Sequence, residues 1–135
     1  MEKLNDSSVI ESPSRKRSLL IVDDSDFIRG RLAAMVQETD YYGTVFQAKD
    51  SFQAYEIFFA SLPDIVILDI HIPGDNGIKV LEKLKKARPE VQIFILTNYP
   101  YDQYRKRCIE LGADYFFEKN RDMDKLTEVL EYTFK

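Results

Sequence analysis

Five short apolar runs, each followed by a helix-like stripe, constrain this chain more than any other feature. The runs are Leu19–Val22, Thr44–Ala48, Ile65–Leu68, Ile93–Leu96 and Tyr115–Phe117. Runs of four to eight apolar residues bounded by turn residues read as strands. Between them the period changes. Ile28, Leu32, Met35 and Val36 share one face of a helix. Ala54, Tyr55 and Phe58 make a second stripe, and Val80, Leu81 and Leu84 a third. Tyr101, Tyr104, Cys108 and Leu111 make a fourth, with Gly112 where a helix C-cap is expected. Leu126, Val129 and Leu130 mark the last helix. Strands alternating with helices predict parallel βαβ units, an α/β doubly wound sheet with helices on both faces. The first, third and fourth runs are apolar throughout, as strands buried on both faces must be.

The rest of the sequence sets bounds. Residues Met1 to Arg17 are polar, Ser-containing and without sustained periodicity, so they read as a disordered N-terminal tail. The domain is then expected over residues 18–135, and 135 residues suffice for one core without metal or disulfide support. Cys108 is the only cysteine, which excludes an internal disulfide. No apolar run reaches the roughly 20 residues of a membrane span, and no signal-peptide pattern opens the chain. A cytoplasmic protein with no membrane insertion is the default reading. A formal charge of −4 gives no support for direct nucleic-acid binding, and Arg15, Lys16 and Arg17 read as a solvated part of the tail.

Open parallel sheets bind ligands at the carboxyl ends of their strands. The first strand ends in Asp23 and Asp24, the third in Asp69, the fourth in Thr97 and Asn98, and the fifth in Lys119. Each residue alone has an ordinary reading: Asp24 or Ser25 as a helix cap, Thr97 as a strand end, Lys119 as a solvated cation. All of them at strand ends favour a site. Adjacent carboxylates repel, so a cation must offset them. Lys119 and a divalent ion meet that need, and a carboxylate cluster suits Mg²⁺ or Ca²⁺ rather than zinc. The set suggests phosphoryl transfer. Asp69, on the middle strand, is the expected nucleophile, giving an aspartyl phosphate. Asp23 and Asp24 would hold the metal, and Thr97 and Lys119 would bind phosphoryl oxygens.

The stretches "LLIVDDSDFIR", "PDIVILDIHIPGDNGIKVLEKLK", "IFILTN" and "LGADYFFEK", in this order and spacing, resemble the receiver domain of two-component response regulators. The resemblance implies a flavodoxin-like fold with strand order 2-1-3-4-5. It implies a Mg²⁺-dependent switch that accepts a phosphoryl group on Asp69 from a histidine kinase or a histidine phosphotransfer protein. Asp23, Asp24, Asp69 and the backbone carbonyl of His71 match the metal ligands, with Asp24 a direct ligand and Asp23 acting partly through water. Thr97 and Lys119 match the catalytic hydroxyl and lysine. Thr97 and Phe116 match the switch pair, and Pro73 and Gly77 match the loop after the acceptor strand. The resemblance also implies that the surface of the fourth helix, fifth strand and fifth helix meets a downstream target or a second copy of the domain.

Three positions depart from the family pattern. Asn98 stands for the usual Ala or Ser, Asn120 for the usual Pro, and Phe116 for the commoner Tyr, which leaves packing alone to carry its signal. The His71 side chain reads as an exposed loop group, though His71 and Tyr99 match positions that tune phosphoryl lifetime. Tyr101 and Tyr104 read as core, Tyr99 as an interface residue. No output domain follows Lys135 in this sequence, so the expectation is a stand-alone receiver or a piece of a longer regulator. The competing expectation is a receiver-like interaction module that works without phosphorylation. A phosphatase or transferase for small molecules ranks last, since no further general base is visible.

Overall fold

The computed structural model describes residues 16–132. The expected N-terminal tail lies outside these residues except for Lys16 and Arg17, and Arg17 already belongs to the first strand. The strands are β1 (Arg17–Val22), β2 (Tyr42–Ala48), β3 (Ile65–Leu68), β4 (Gln92–Thr97) and β5 (Tyr115–Glu118). The helices are α1 (Asp26–Gln37), α2 (Ser51–Ser61), α3 (Gly77–Ala87), α4 (Asp102–Glu110) and α5 (Met123–Tyr132). The five strands form one parallel sheet in the order β2-β1-β3-β4-β5. The expected strand and helix alternation and the expected order are both observed.

The period of two along each strand sorts the core into two layers. Leu20, Val22, Val66, Leu68, Ile93 and Ile95 face α2, α3 and α4, packing with Ala54, Phe58, Val80, Leu81, Leu84 and Cys108. Leu19, Ile21, Ile65, Ile67, Phe94 and Leu96 face α1 and α5, packing with Leu32, Val36, Leu126 and Leu130. Phe116 and Phe117 are likewise divided between the two layers. No helix among the described residues is long and apolar enough to cross a membrane.

Side-chain caps fix where the helices begin. Ser25, Asp50 and Asn76 each accept backbone N–H bonds from the first turn of α1, α2 and α3. At the end of α4, Ala113 N–H bonds to the Cys108 carbonyl and Gly112 N–H to that of Ile109. These paired bonds require a left-handed residue, and Gly112 supplies it at φ +101°. The glycine therefore sits one position beyond the cap residue Leu111.

Gly77 opens α3 directly under the end of β3. Its N–H bonds to the Ile70 carbonyl at 2.7 Å. A Cβ there would lie 2.2 Å from the Asp69 carbonyl oxygen and 2.7 Å from Ile70 Cα. Both obstacles are backbone, so relief requires moving the strand end itself. Gly77→Ala is expected to lower unfolding free energy by about 3 kcal/mol, at the upper end of overpacking costs, as read from urea denaturation. An unchanged denaturation midpoint would refute the close approach.

Candidate functional site

The carboxyl ends of β1 and β3 bring Asp23, Asp24 and Asp69 together, Lys119 from the end of β5 meets two of them, and Thr97 ends the neighbouring strand β4. The sheet ladder extends one residue past each strand to do this. Asp23 N–H reaches the Ala48 carbonyl at 3.0 Å, Asp69 N–H reaches Val22 at 2.9 Å, and Lys119 N–H reaches Thr97 at 2.9 Å. A second bond then aims each side chain. Asp23 Oδ1 accepts from Ser25 N–H at 2.9 Å, Asp69 Oδ1 from His71 N–H at 3.3 Å, and Thr97 Oγ1 from Tyr99 N–H at 3.0 Å. The same bond, to the N–H two residues on, recurs at three strand ends.

The second oxygens of both buried acids meet one cation. Lys119 Nζ lies 2.6 Å from Asp23 Oδ2 and 3.0 Å from Asp69 Oδ2. All three side chains are under 10% exposed, so this is a buried triad rather than a surface ion pair. Asp24, next to it, is exposed. One carboxylate oxygen from each of Asp23, Asp24 and Asp69 lies within 4.8 Å of the other two. Three carboxylates and one ammonium leave two negative charges uncancelled in this pocket. Their oxygens are hard donors, and one acid opens to solvent. This donor set fits a divalent cation of the Mg²⁺ kind, which answers the expectation drawn from the strand ends.

Burial raises the pKa of Asp69 above its ordinary 3.8, the Lys119 charge opposes this, and the neighbouring Asp23 adds to the rise. Burial acts to lower the Lys119 pKa, but the hydrogen bond and charge of Asp23, together with Asp69, outweigh it and raise the pKa overall. Lys119 is therefore charged at neutral pH, and ionising Asp69 carries a cost. Between 3.8 and its raised folded value, the folded chain keeps a proton that the unfolded chain has released. Stability from this group is full below that window and is lost as pH rises through it. Asp69→Asn should therefore be more stable than the parent above the window in Mg²⁺-free buffer, with the difference shrinking as pH falls. Urea unfolding across a pH series measures this, and a difference that is flat with pH would contradict it.

Some residues were not legible in advance. Arg29 lies behind the acidic pair, donating to the Asp23 carbonyl at 2.6 Å and pairing with Asp26. Its position on α1 gives no sequence signal beyond a lone arginine. The Arg105 guanidinium lies 4.6 Å from the Phe116 ring centroid. A cation on α4 thus faces the Phe116 ring, a contact with no sign in the sequence. Tyr101 is 55% exposed and not core. It is the N-cap of α4, ahead of the first turn, so it never joins the helical stripe. Tyr104 is half-buried, and Tyr99 is exposed as expected. The His71 ring is exposed but not isolated. It packs edge-on to Tyr99 at 4.2 Å and to Tyr104 at 5.9 Å, and Tyr101 joins both tyrosines.

The β5–α5 loop, where Asn120 stands, contains no cis peptide. Asp122 closes it instead, with its carboxylate accepting from Glu118 N–H at 2.9 Å and its own N–H reaching the Glu118 carbonyl at 2.8 Å. Asn98 is exposed at the end of β4.

Comparison with known proteins gives one answer. The sequence profile of the response regulator receiver domain matches residues 19–131. The chain is 34% identical over 113 residues to sporulation initiation phosphotransferase F of Bacillus subtilis, covering 84% of this chain and 90% of that one. It is 23% identical to response regulator GacA of Pseudomonas aeruginosa, covering 86% of this chain but only 54% of that longer protein. Among solved structures, the CheX-CheY-BeF3-Mg+2 complex from Borrelia burgdorferi is similar with a TM-score of 0.79 and 26% identity, covering 88% of this chain and 90% of that one.

Proposed function

Because the chain belongs to the response regulator receiver domain family, we propose that it is a switch operated by phosphorylation of Asp69. The observation that carries this reading is the shared lysine: one buried ammonium holds both Asp23 and Asp69 beside the exposed Asp24. An Asp69 carboxylate oxygen attacks the donor's phosphorus as the donor's P–N or P–O bond breaks. Lys119 is positioned to face the incoming phosphoryl oxygens. Asp23, Asp24, Asp69 and the His71 carbonyl would hold Mg²⁺, which when bound neutralises charge on those oxygens. The likeness to a phosphotransferase and to a complex with BeF3 and Mg+2 in its name supports the same reading.

Phosphorylation adds about −1.5 to −2 charges. The Thr97 hydroxyl is fully buried and accepts the Tyr99 N–H. Turning toward the phosphoryl group strains that bond, so the β4–α4 loop registers the event. Phe116, 9% exposed beneath Arg105, is the side chain whose repacking would report the event. Both arrangements pre-exist, and phosphorylation shifts their populations by its differential energy. The face of α4, β5 and α5 carries exposed Ile109 and Tyr115, with Tyr101 at its edge, which suits binding of a target protein or a second copy. A histidine kinase or histidine phosphotransfer protein in the cytoplasm is the proposed donor.

Intact mass after incubation with acetyl phosphate tests the reading. One added phosphoryl group that requires Mg²⁺ supports it. No added mass, together with no response to beryllofluoride, would favour an interaction module that works without phosphorylation.

The His71–Tyr99 contact lies over the acceptor loop and the Thr97 loop together. Its bulk should restrict the water that hydrolyses the aspartyl phosphate. Replacing both residues with alanine is expected to shorten the phosphoryl lifetime by about tenfold, the effect of lowering the hydrolysis barrier by about 1.4 kcal/mol. Decay of the phosphorylated species measures it, and an unchanged lifetime would remove the role.

A further inference from the structure

We propose that Ser51, Tyr55, Asp75 and Lys83 form a strap that positions the loop after β3, and through it the metal side of the site. The proposal rests on the reading that the acidic cluster takes Mg²⁺. The loop runs from Ile70 to Asn76 and carries His71. Its base is closed by the Gly77 N–H to Ile70 carbonyl bond. Its outer half is held from α2. Ser51 N–H donates to the Pro73 carbonyl at 3.1 Å, and Asp75 N–H donates to Ser51 Oγ at 2.9 Å. Ser51 is 2% exposed, and a Cβ on Gly74 would lie 2.2 Å from its hydroxyl oxygen. The loop is therefore pressed against the start of α2 with no slack.

A second layer then grips Asp75 by its side chain. Tyr55 Oη donates to Asp75 Oδ2 at 2.8 Å, and Lys83 Nζ reaches the same oxygen at 3.2 Å. Lys83 also lies 5.1 Å from the Tyr55 ring centroid. The three groups thus tie α2, the loop and α3 into one unit. Burial and the Asp75 carboxylate push the Tyr55 phenol above its ordinary pKa, so it stays a donor. The Tyr55 bond, then Lys83, draws Asp75 below the ordinary carboxylate range, so it stays an acceptor.

The consequence follows from where the loop is fixed. His71 lies between the closed base and the strapped half. Its N–H orients Asp69 Oδ1 at 3.3 Å, and its carbonyl is the expected backbone ligand. A loop free to shift would misplace both. Outer partners of metal ligands commonly matter about tenfold or more in affinity. The strap acts one step further out, through backbone, so a smaller factor is expected. Tyr55 and Asp75 are positioning residues here, since neither touches the acceptor or the metal.

The test is Mg²⁺ affinity of the whole chain by isothermal titration, with no phosphoryl donor present. Tyr55→Phe deletes one hydroxyl and keeps the ring. It is expected to raise the Mg²⁺ Kd about fivefold, and Lys83→Met, which removes one arm of the grip on Asp75, about twofold. Val129→Ala, on α5 across the sheet, lowers stability without touching the strap, and its Kd should match the parent's. A Tyr55→Phe Kd within experimental error of the parent's overturns the strap, as does an equal loss in Val129→Ala. A parent chain that binds no Mg²⁺ overturns the strap and the Mg²⁺ reading together, whereas a parent that binds with Tyr55→Phe unchanged overturns the strap alone.

Discussion

Asp69→Asn will take up no phosphoryl group from acetyl phosphate at any Mg²⁺ concentration, while the parent takes up one. The amide lacks a nucleophilic oxygen, and no neighbouring carboxylate can replace it. Asp23 is committed through both oxygens, to Ser25 N–H at 2.9 Å and to Lys119 at 2.6 Å. Asp24 is exposed beside the pocket, not on the central strand next to Thr97. The variant should fold, because it removes a buried charge whose ionisation is opposed by burial and by Asp23. Lys119 keeps Asp23 as its partner. Loss of uptake in a folded, more stable protein separates a chemical role from a structural one. Uptake in Asp69→Asn equal to the parent's would place the acceptor elsewhere and sink the proposed switch.

Lys119→Ala is expected to cost about 3 to 5 kcal/mol of unfolding free energy in EDTA, the range for removing one partner of a buried ion pair. Two carboxylates under 10% exposed would then face each other with no cation. Solvent screening gives little relief at that depth. Mg²⁺ should recover part of the loss, since an ion at 100 times its Kd contributes about 2.7 kcal/mol. Its gain in stability from Mg²⁺ should exceed the parent's, because the ion no longer competes with an ammonium for Asp23 and Asp69. Chemical denaturation with and without Mg²⁺ reads both effects. Equal losses in the two buffers would show that Lys119 acts through packing of its stem and not through its charge.

Both experiments address residues visible before any coordinates. Strand ends can be read from a sequence because a short apolar run stops where a polar residue appears. Parallel topology then sends every strand's carboxyl end to one edge. Asp23, Asp24, Asp69, Thr97 and Lys119 were thus legible as a group. Tyr101 was misread because a stripe continues on paper past the point where the helix starts. Arg105 over Phe116 was missed because a contact between a helix and a strand has no fixed sequence spacing.

The sequence by itself determined the layers, the sheet edge that holds the acids and the residue types of the site. These follow from local periodicity and from the handedness of βαβ connections, which act over short stretches of chain. Only the tertiary structure decided which oxygen of each acid meets Lys119, how Asp122 closes the loop around Asn120, and that Tyr55 reaches Asp75 across 20 residues of sequence. Those pairings depend on distances of a few ångströms between separate elements. Such distances are fixed by how the helices pack on the sheet, and packing of elements far apart in the chain leaves no periodic mark along it.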